Sequence, residues 1–265
     1  MINTASIIFP ARSRIECTEN LLLSVEKFTK NKSKIDVVGI CDHDDFETLS
    51  LFQRTALKVS YEFKFISRPH SNFLDLPNDY YSLGLDLSEA SYFKWILGND
   101  CSINTQDWDL ELDKIINTQE FQSDFRSNKY YYISISDDTH WKGSHQLRNG
   151  EGAESCCFPI VSSNYCLDLE EFYPREYPTW GGDKQLWRLA NSSRKFKILS
   201  YQDKIAILHK SFHNKTMEFD SVAQKVSMND VPLHVRRPMP EGVENLLKEI
   251  TEKRIKFLEI PNPIV

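Results

Sequence analysis

The chain contains the stretch Ile35-Asp36-Val37-Val38-Gly39-Ile40-Cys41-Asp42-His43-Asp44-Asp45. Its first six residues form a short, mainly apolar run, which is typical of a parallel strand that is buried on both faces. Three of the five residues that follow the run are acidic. This stretch therefore predicts a central strand whose carboxyl end carries a cluster of carboxylates.

Strand and helix patterns alternate on both sides of this stretch. Runs of β-branched and aromatic residues predict strands at 6–9, 35–40, 61–66 and 92–97. Apolar residues at helical spacing predict helices near 21–28, 46–57 and 78–90. The alternating order predicts an α/β fold with a parallel sheet that helices cover on both faces.

The second half of the chain is less regular. Strands are predicted at 130–136, 196–199 and 205–208, and helices at 184–190 and 243–257. The polar, glycine-containing segment 137–157 is expected to be a mobile loop. The sequence shows neither an internal repeat nor a linker, so a single domain is the simplest organisation.

Composition narrows the class of protein. The chain has 265 residues, of which 40% are hydrophobic and 26% charged, as in ordinary globular proteins. Its net charge of -6 argues against nucleic acid as the main partner. The sequence shows neither a secretory signal nor a spanning run of about 18 apolar residues. Its six cysteines include no C-x-x-C pair, which indicates reduced thiols and a cytoplasmic protein.

Acidic residues occur where two of the predicted strands end. Asp42, Asp44 and Asp45 follow the strand at 35–40, and Asp100 follows the strand at 92–97. Ligands of open α/β sheets bind beyond the carboxyl ends of the strands, so these carboxylates predict a divalent cation or a polar ligand. The alternatives are a solvated turn with a helix cap for the first cluster and an ordinary turn for Asp100.

Several motifs resemble those of GT-A glycosyltransferases and occur in the family's order between residues 5 and 220. A strand that ends in proline is followed by an arginine, and a tryptophan-aspartate pair follows the second acidic strand end. The matching segments are Phe9-Pro10-Ala11-Arg12-Ser13-Arg14, Trp95-Ile96-Leu97-Gly98-Asn99-Asp100, Trp108-Asp109, Phe158-Pro159-Ile160-Val161-Ser162, Trp180-Gly181-Gly182-Asp183 and His209.

This resemblance implies a GT-A (Rossmann-like) three-layer α/β fold with a mostly parallel central sheet. It further implies a GT2-like, inverting and metal-dependent enzyme. Within a single domain of residues 1–265, residues 1–117 would bind the nucleotide-sugar donor, 118–230 would bind the acceptor, and 231–265 would form a helical tail. The residues implied for donor binding are Pro10, Arg14, Asp42, Asp44, Asn99 and Asp100.

The resemblance also implies a metal site. Mn²⁺ or Mg²⁺ held by Asp100 would neutralise the charge of a departing nucleoside diphosphate. His209 would be a further ligand and would favour manganese. The sequence departs from the family here, because the usual D-x-D motif is reduced to Gly98-Asn99-Asp100.

The catalytic base implied by the resemblance is Asp183, which would take the proton of an acceptor hydroxyl. Its alternative role is that of a carboxylate stabilised at a helix N-terminus. Trp180 and Asp138 are the residues expected to contact the acceptor. Asp138 could equally lie in a surface turn.

The function that the resemblance implies is transfer of a sugar, most commonly UDP-linked in this family, to a glycan or lipid-linked acceptor in polysaccharide or glycoconjugate synthesis. A metal-dependent hydrolase or phosphoesterase and a non-catalytic nucleotide- or carbohydrate-binding module are the alternatives. The amphipathic C-terminal helix is interpreted as packed on the domain, with a peripheral contact at the inner face of a membrane as its alternative.

Overall fold

The computed structural model describes residues 2–69, 76–137, 156–173, 182–210 and 241–259. The strands are β1 (Asn3–Ala11), β2 (Ile35–Asp42), β3 (Glu62–Arg68), β4 (Ser91–Ile96), β5 (Cys101–Ile103), β6 (Tyr130–Ser134), β7 (Ser136–Asp137), β8 (Ile160–Ser162), β9 (Phe196–Ser200) and β10 (Ala206–His209). The α-helices are α1 (Ile15–Phe28), α2 (Phe46–Ala56), α3 (Leu76–Leu87), α4 (Trp108–Ile116), α5 (Gln119–Arg126), α6 (Ser163–Leu169), α7 (Gly182–Ser192) and α8 (Glu241–Glu259).

A seven-stranded sheet forms the middle layer, in the order β3-β2-β1-β4-β8-β6-β9. Neighbouring strands are parallel except at β8, which runs antiparallel to both β4 and β6. Helices flank this sheet, and a separate three-stranded sheet has the order β5-β10-β7. The predicted α/β fold with a mostly parallel central sheet is therefore confirmed.

The central strand predicted at 35–40 is β2, and every one of its residues is buried. It extends two residues further than predicted, so that Asp42 belongs to the strand. At Gly39 the Phe52 ring packs directly on the backbone, and an added Cβ would lie 2.8 Å from the ring. The mainly apolar run is thus explained by contacts on both faces of the strand.

Pro10 marks the point where β1 and β4 separate. Pairing of β1 with β4 ends at Ile8 and Ile96, whereas pairing of β1 with β2 continues to Ala11. Ile8 accepts a hydrogen bond from Leu97 on the β4 side. Because the hydrogen-bonding direction repeats every second residue, the Pro10 nitrogen also faces that side, where β4 has already ended. The missing N–H therefore costs the sheet no ladder bond.

The amino-terminal edge of the sheet contains a buried charged cluster. Ser6 donates to Asp36 at 2.6 Å, and Lys94 donates to Ser6 at 3.1 Å and to Ser88 at 2.6 Å. Asp36 also accepts from the backbone N–H of Glu89. These buried charges are hydrogen-bonded to one another and to the backbone, which makes them part of the fold.

The sequence patterns did not predict α4, α5, α6, β5 or β8. The Trp108-Asp109 pair opens helix α4, where the buried indole donates to Thr29 at 3.0 Å. Asp109 accepts from the backbone N–H groups of Lys30 and Asn31, each at 2.8 Å. This pair therefore fixes the end of α1 to α4. The loop expected at 137–157 lies outside the described residues apart from its ends.

The C-terminal helix α8 packs on the domain, as its amphipathic pattern predicted. Arg254 forms an ion pair with Glu171, and the two side chains are only 12% and 8% exposed. All six cysteines are free thiols. Among the described helices, none is long and apolar enough to cross a membrane.

Asp45 ties the carboxyl ends of β1 and β2 together. Its carboxylate caps helix α2 through the Thr48 N–H at 3.1 Å and accepts from the Ser13 N–H at 2.8 Å. We expect Asp45→Ala to lower the free energy of unfolding by about 1–3 kcal/mol, because it removes a cap and leaves a buried donor without its partner. Urea unfolding followed by circular dichroism measures this change.

Glu47→Ala is the matched control, since Glu47 carries the same charge in the first turn of the same helix. Its expected loss is about 0.5 kcal/mol, from the helix dipole alone. Equal losses in the two variants would show that Asp45 acts through its charge and not through these hydrogen bonds.

Candidate active site

The carboxyl ends of β1 and β4 form the topological switch point of the sheet. The strand order leads outward from β1 through β2 to β3, and the chain then returns to β4 on the other side of β1. Ligands of open α/β sheets bind in the crevice at such a point. The segments that follow β1 and β4 carry Arg12, Arg14 and Asp100, and the last two of these residues form an ion pair there.

A tight turn places the Asp100 carboxylate. Cys101 donates its N–H to the Gly98 carbonyl at 3.1 Å, which closes the turn between β4 and β5. A Cβ on residue 98 would lie 2.4 Å from Asp100 Oδ1. A side chain at residue 98 would therefore displace the carboxylate from the orientation that it has here.

The two oxygens of Asp100 have different neighbours. Arg14 donates to Oδ2 at 2.9 Å, and both side chains are mostly buried. Oδ1 lies 3.8 Å from His209 Nε2 and 3.9 Å from Cys101 Sγ. Among the described residues, Asp100, Cys101 and His209 are the group whose ligand atoms lie close enough to hold one metal ion, all within 4.8 Å of one another.

The small sheet fixes two of these three residues. His209 in β10 lies directly opposite Cys101 in the antiparallel strand β5. Residues opposite each other in an antiparallel pair project to the same face, so the imidazole and the thiol are brought together by the strand register. The ring of Phe158 packs edge-on against His209, with centroids 4.9 Å apart. The predicted metal residues Asp100 and His209 therefore lie side by side.

A second charged cluster surrounds Asp42. The carboxylate is fully buried and contacts the Arg12 guanidinium through one oxygen and the Tyr80 hydroxyl through the other. Arg12 also donates to both oxygens of Asp44, each at 3.2 Å. Arg68 lies over the Tyr80 ring at 4.6 Å. Since Asp42 is enclosed, the group that this cluster offers to a ligand is the guanidinium of Arg12.

Two other residues of the acidic strand ends face the protein interior. Asn99 is buried and donates to Thr18 of helix α1 at 3.2 Å. Asp45 caps helix α2. These contacts explain both residues structurally and leave Asp100 as the chemically distinctive carboxylate at the end of β4. A paired metal site of a hydrolase would use the Asp42–Asp45 cluster, but those carboxylates are engaged by Arg12, Tyr80 and Thr48.

Asp183 lies at the start of helix α7 and is partly buried. Burial raises the pKa of Tyr81, and the negative charges of Asp100, Cys101 and Asp183 raise it further. Tyr81 also packs edge-on against Tyr173, with centroids 5.7 Å apart. The charges of Asp100 and of the predicted base Asp183 thus both contribute to the electrostatic environment of the same phenol.

The two residues predicted to contact an acceptor, Trp180 and Asp138, lie outside the described residues. Sequence reasoning did not single out Arg12, Tyr80, Tyr81 or Cys101. Arg12 stood within a quoted motif, and Cys101 directly follows Asp100. The pairing of β5 with β10, which brings Cys101 to His209, has no signal in the sequence because both strands are short.

Solved structures similar to this chain are GT-A glycosyltransferases, and the chain has the GT-A fold. S. aureus TarS 1–349 in complex with UDP is 15% identical, with a TM-score of 0.53 over 96% of this chain and 89% of that chain. Mannosyltransferase PcManGT from Pyrobaculum calidifontis, in complex with GDP-Man and Mn²⁺, is 10% identical, with a TM-score of 0.60 over 97% of this chain and 73% of that chain. No protein-family model and no curated protein sequence matches the chain.

Arg12 neutralises a fully buried carboxylate, and its removal tests that role. We expect Arg12→Met to lower the free energy of unfolding by about 2–4 kcal/mol, because Asp42 would keep a buried charge without its cation. Lys34→Met removes the cation of a more exposed ion pair, with Asp113 at 3.3 Å, and should cost at most about 1 kcal/mol. Thermal and urea unfolding compare the two variants, and an effect of Arg12→Met no larger than that of Lys34→Met would contradict the assignment.

Proposed function

We propose that the chain is a glycosyltransferase that moves a sugar from a nucleotide-diphosphate sugar to a hydroxyl of an acceptor. The observation that carries this proposal is the group of Asp100, Cys101 and His209 at the switch point of a GT-A fold. A cation site at the carboxyl end of β4 is where a diphosphate would meet both a strand-end carboxylate and Arg14.

The donor half of the site would hold a nucleoside diphosphate. Asp100 and His209 would hold a divalent cation, whose chemistry is to neutralise the charge that develops on the diphosphate as the sugar leaves. Arg14, fixed on Asp100 Oδ2, stands next to the same position and offers further donors to phosphate oxygens. Arg12, held by Asp42 and Asp44, is placed to bind another part of the nucleotide.

Asp183 is the residue we assign as the general base. It would accept the proton of the acceptor hydroxyl while that oxygen forms a bond to the anomeric carbon. The bond from the anomeric carbon to the diphosphate breaks on the opposite side, which inverts the configuration. Its place at the start of helix α7, where its charge acts on the same Tyr81 phenol as the charge of Asp100, supports this assignment.

We propose UDP as the nucleotide and a glycan or lipid-linked glycan as the acceptor, within polysaccharide or glycoconjugate synthesis. The structural neighbours support a nucleotide sugar in general, since one is solved with UDP and another with GDP-Man. Selection among nucleotides depends on contacts to the base, which a binding screen measures directly.

A thermal-shift screen of UDP-, GDP-, CMP- and dTDP-sugars, each with and without Mn²⁺ or Mg²⁺, tests the donor assignment. We expect a UDP-sugar to raise the melting temperature only when the metal is present, because a ligand that binds the folded state stabilises it by mass action. Asp100→Asn should abolish this metal-dependent shift. If the UDP-sugar still raised the melting temperature of Asp100→Asn, or raised that of the wild type equally without metal, the assigned role of Asp100 would be overturned.

Asp183→Asn separates binding from transfer. We expect the variant to keep the metal-dependent stabilisation by the donor and to lose at least about 100-fold in transfer rate, which is the usual contribution of a positioned base. Release of UDP, coupled to formation of the glycosylated product, measures the rate. If Asp183→Asn transferred the sugar at the wild-type rate, Asp183 could not be the base. The assignment of the donor site would be unaffected.

A further inference from the structure

The geometry points to a third protein ligand in this site, the sulfur of Cys101, which makes the site selective for divalent ions that accept sulfur. We therefore infer that the chain binds Zn²⁺ or Co²⁺ through Asp100, Cys101 and His209. This inference rests on the proposed function, since it concerns the same cation site. It adds a ligand that the sequence motifs do not include.

The distances fit a shared ion. Ligands of one tetrahedral ion lie about 2.0–2.3 Å from it, so their atoms are roughly 3.3–3.8 Å apart. Asp100 Oδ1 lies 3.8 Å from His209 Nε2 and 3.9 Å from Cys101 Sγ, so both separations lie at or just beyond the upper end of that range. Small side-chain rotations would close the remaining separation of the group, whose atoms all lie within 4.8 Å.

The backbone holds these three ligands from both sides. Cys101 and His209 are paired across β5 and β10, and the Lys210 N–H donates to the Asp100 carbonyl at 2.9 Å. At the far end of β5, the Asn104 N–H donates to the Ala206 carbonyl at 2.9 Å. A ligand set on short, doubly fixed strands is preorganised, so an ion can bind without ordering a loop.

Ligand chemistry decides which ions fit. Mg²⁺ requires oxygen ligands in near-octahedral geometry, whereas Zn²⁺ and Co²⁺ bind thiolate, imidazole and carboxylate in tetrahedral sites. Cys101 is almost fully buried and free of any disulfide, so its sulfur is available in the protein interior beside the carboxylate. A site made of one oxygen, one sulfur and one nitrogen therefore favours the softer ions.

The charges of such a complex also suit a diphosphate. One carboxylate and one thiolate balance the two positive charges of the ion, and His209 adds no charge when neutral. Arg14, at 2.9 Å from Asp100 Oδ2, then leaves the assembly with a net positive charge. The fourth position of a tetrahedral ion stays open for an oxygen of the diphosphate.

Absorption spectroscopy of the full chain with Co²⁺ tests this inference without an activity assay. We expect tetrahedral d–d bands and a sulfur-to-cobalt charge-transfer band in the near ultraviolet, both removed by stoichiometric Zn²⁺. Cys101→Ser should lose the charge-transfer band and bind Zn²⁺ at least about 10-fold more weakly. Replacing even a residue that only hydrogen-bonds to a metal ligand typically lowers metal affinity by that factor. Cys17→Ser is the matched control, because Cys17 also lies near Asp100 and Arg14 but outside the ligand group, and it should retain the band.

The outcomes separate this inference from the proposed function. Octahedral cobalt without a sulfur band, together with a metal-dependent shift by a UDP-sugar, would overturn Cys101 as a ligand and leave the glycosyltransferase standing. Loss of the band in Cys17→Ser would also overturn it, because the sulfur would then come from Cys17. If the wild-type chain bound no metal ion, both the Cys101 ligand and the metal-dependent glycosyltransferase would be ruled out. Even if Cys101→Ser fails to fold, the wild-type spectrum shows whether a sulfur atom binds the cobalt ion.

Discussion

The site depends on the Asp100 carboxylate, because its two oxygens contact residues from two different parts of the fold. Oδ2 meets Arg14 from the segment that follows β1, and Oδ1 faces His209 from the small sheet. Parallel pairing of β1 with β4 brings the first partner, and antiparallel pairing of β5 with β10 brings the second. One side chain therefore joins the large sheet to the small one, and shifting either strand register would remove a partner.

Charge is divided between two clusters with different burial. Asp42 is enclosed and fully matched by Arg12 and Tyr80, so it serves mainly to hold the guanidinium in place. Asp100 is partly exposed and shares its environment with a thiol and an imidazole. Breaking a buried ion pair is costly because it leaves an uncompensated charge, so such a pair keeps its partners. A carboxylate at the edge of a crevice can exchange one partner for another. The first cluster fixes the Arg12 guanidinium, and the second is the one that we propose binds the cation.

The strands and helices of the first half were predicted from the sequence because their signals are local. The run at 35–40 became β2, and the helical spacing at 46–57 became α2, with errors of two residues or fewer at each end. Cys101 could not be assigned in the same way, since its meeting with His209 depends on a pairing of two short strands about 100 residues apart. The contact of Asp42, a predicted donor-binding residue, with Tyr80 from helix α3 is equally non-local and has no signal in the sequence pattern.

Gly98 has a consequence for anyone who would redesign this centre. Because a methyl group at that position would displace the carboxylate oxygen, the turn and the ligand are coupled, and a library that varies residue 98 would also vary where the carboxylate lies. Transplanting the acidic residue into another scaffold would likewise require copying the bare backbone two positions before it. The smallest portable unit of this chemistry is the three-residue turn Gly98-Asn99-Asp100 and not a single aspartate.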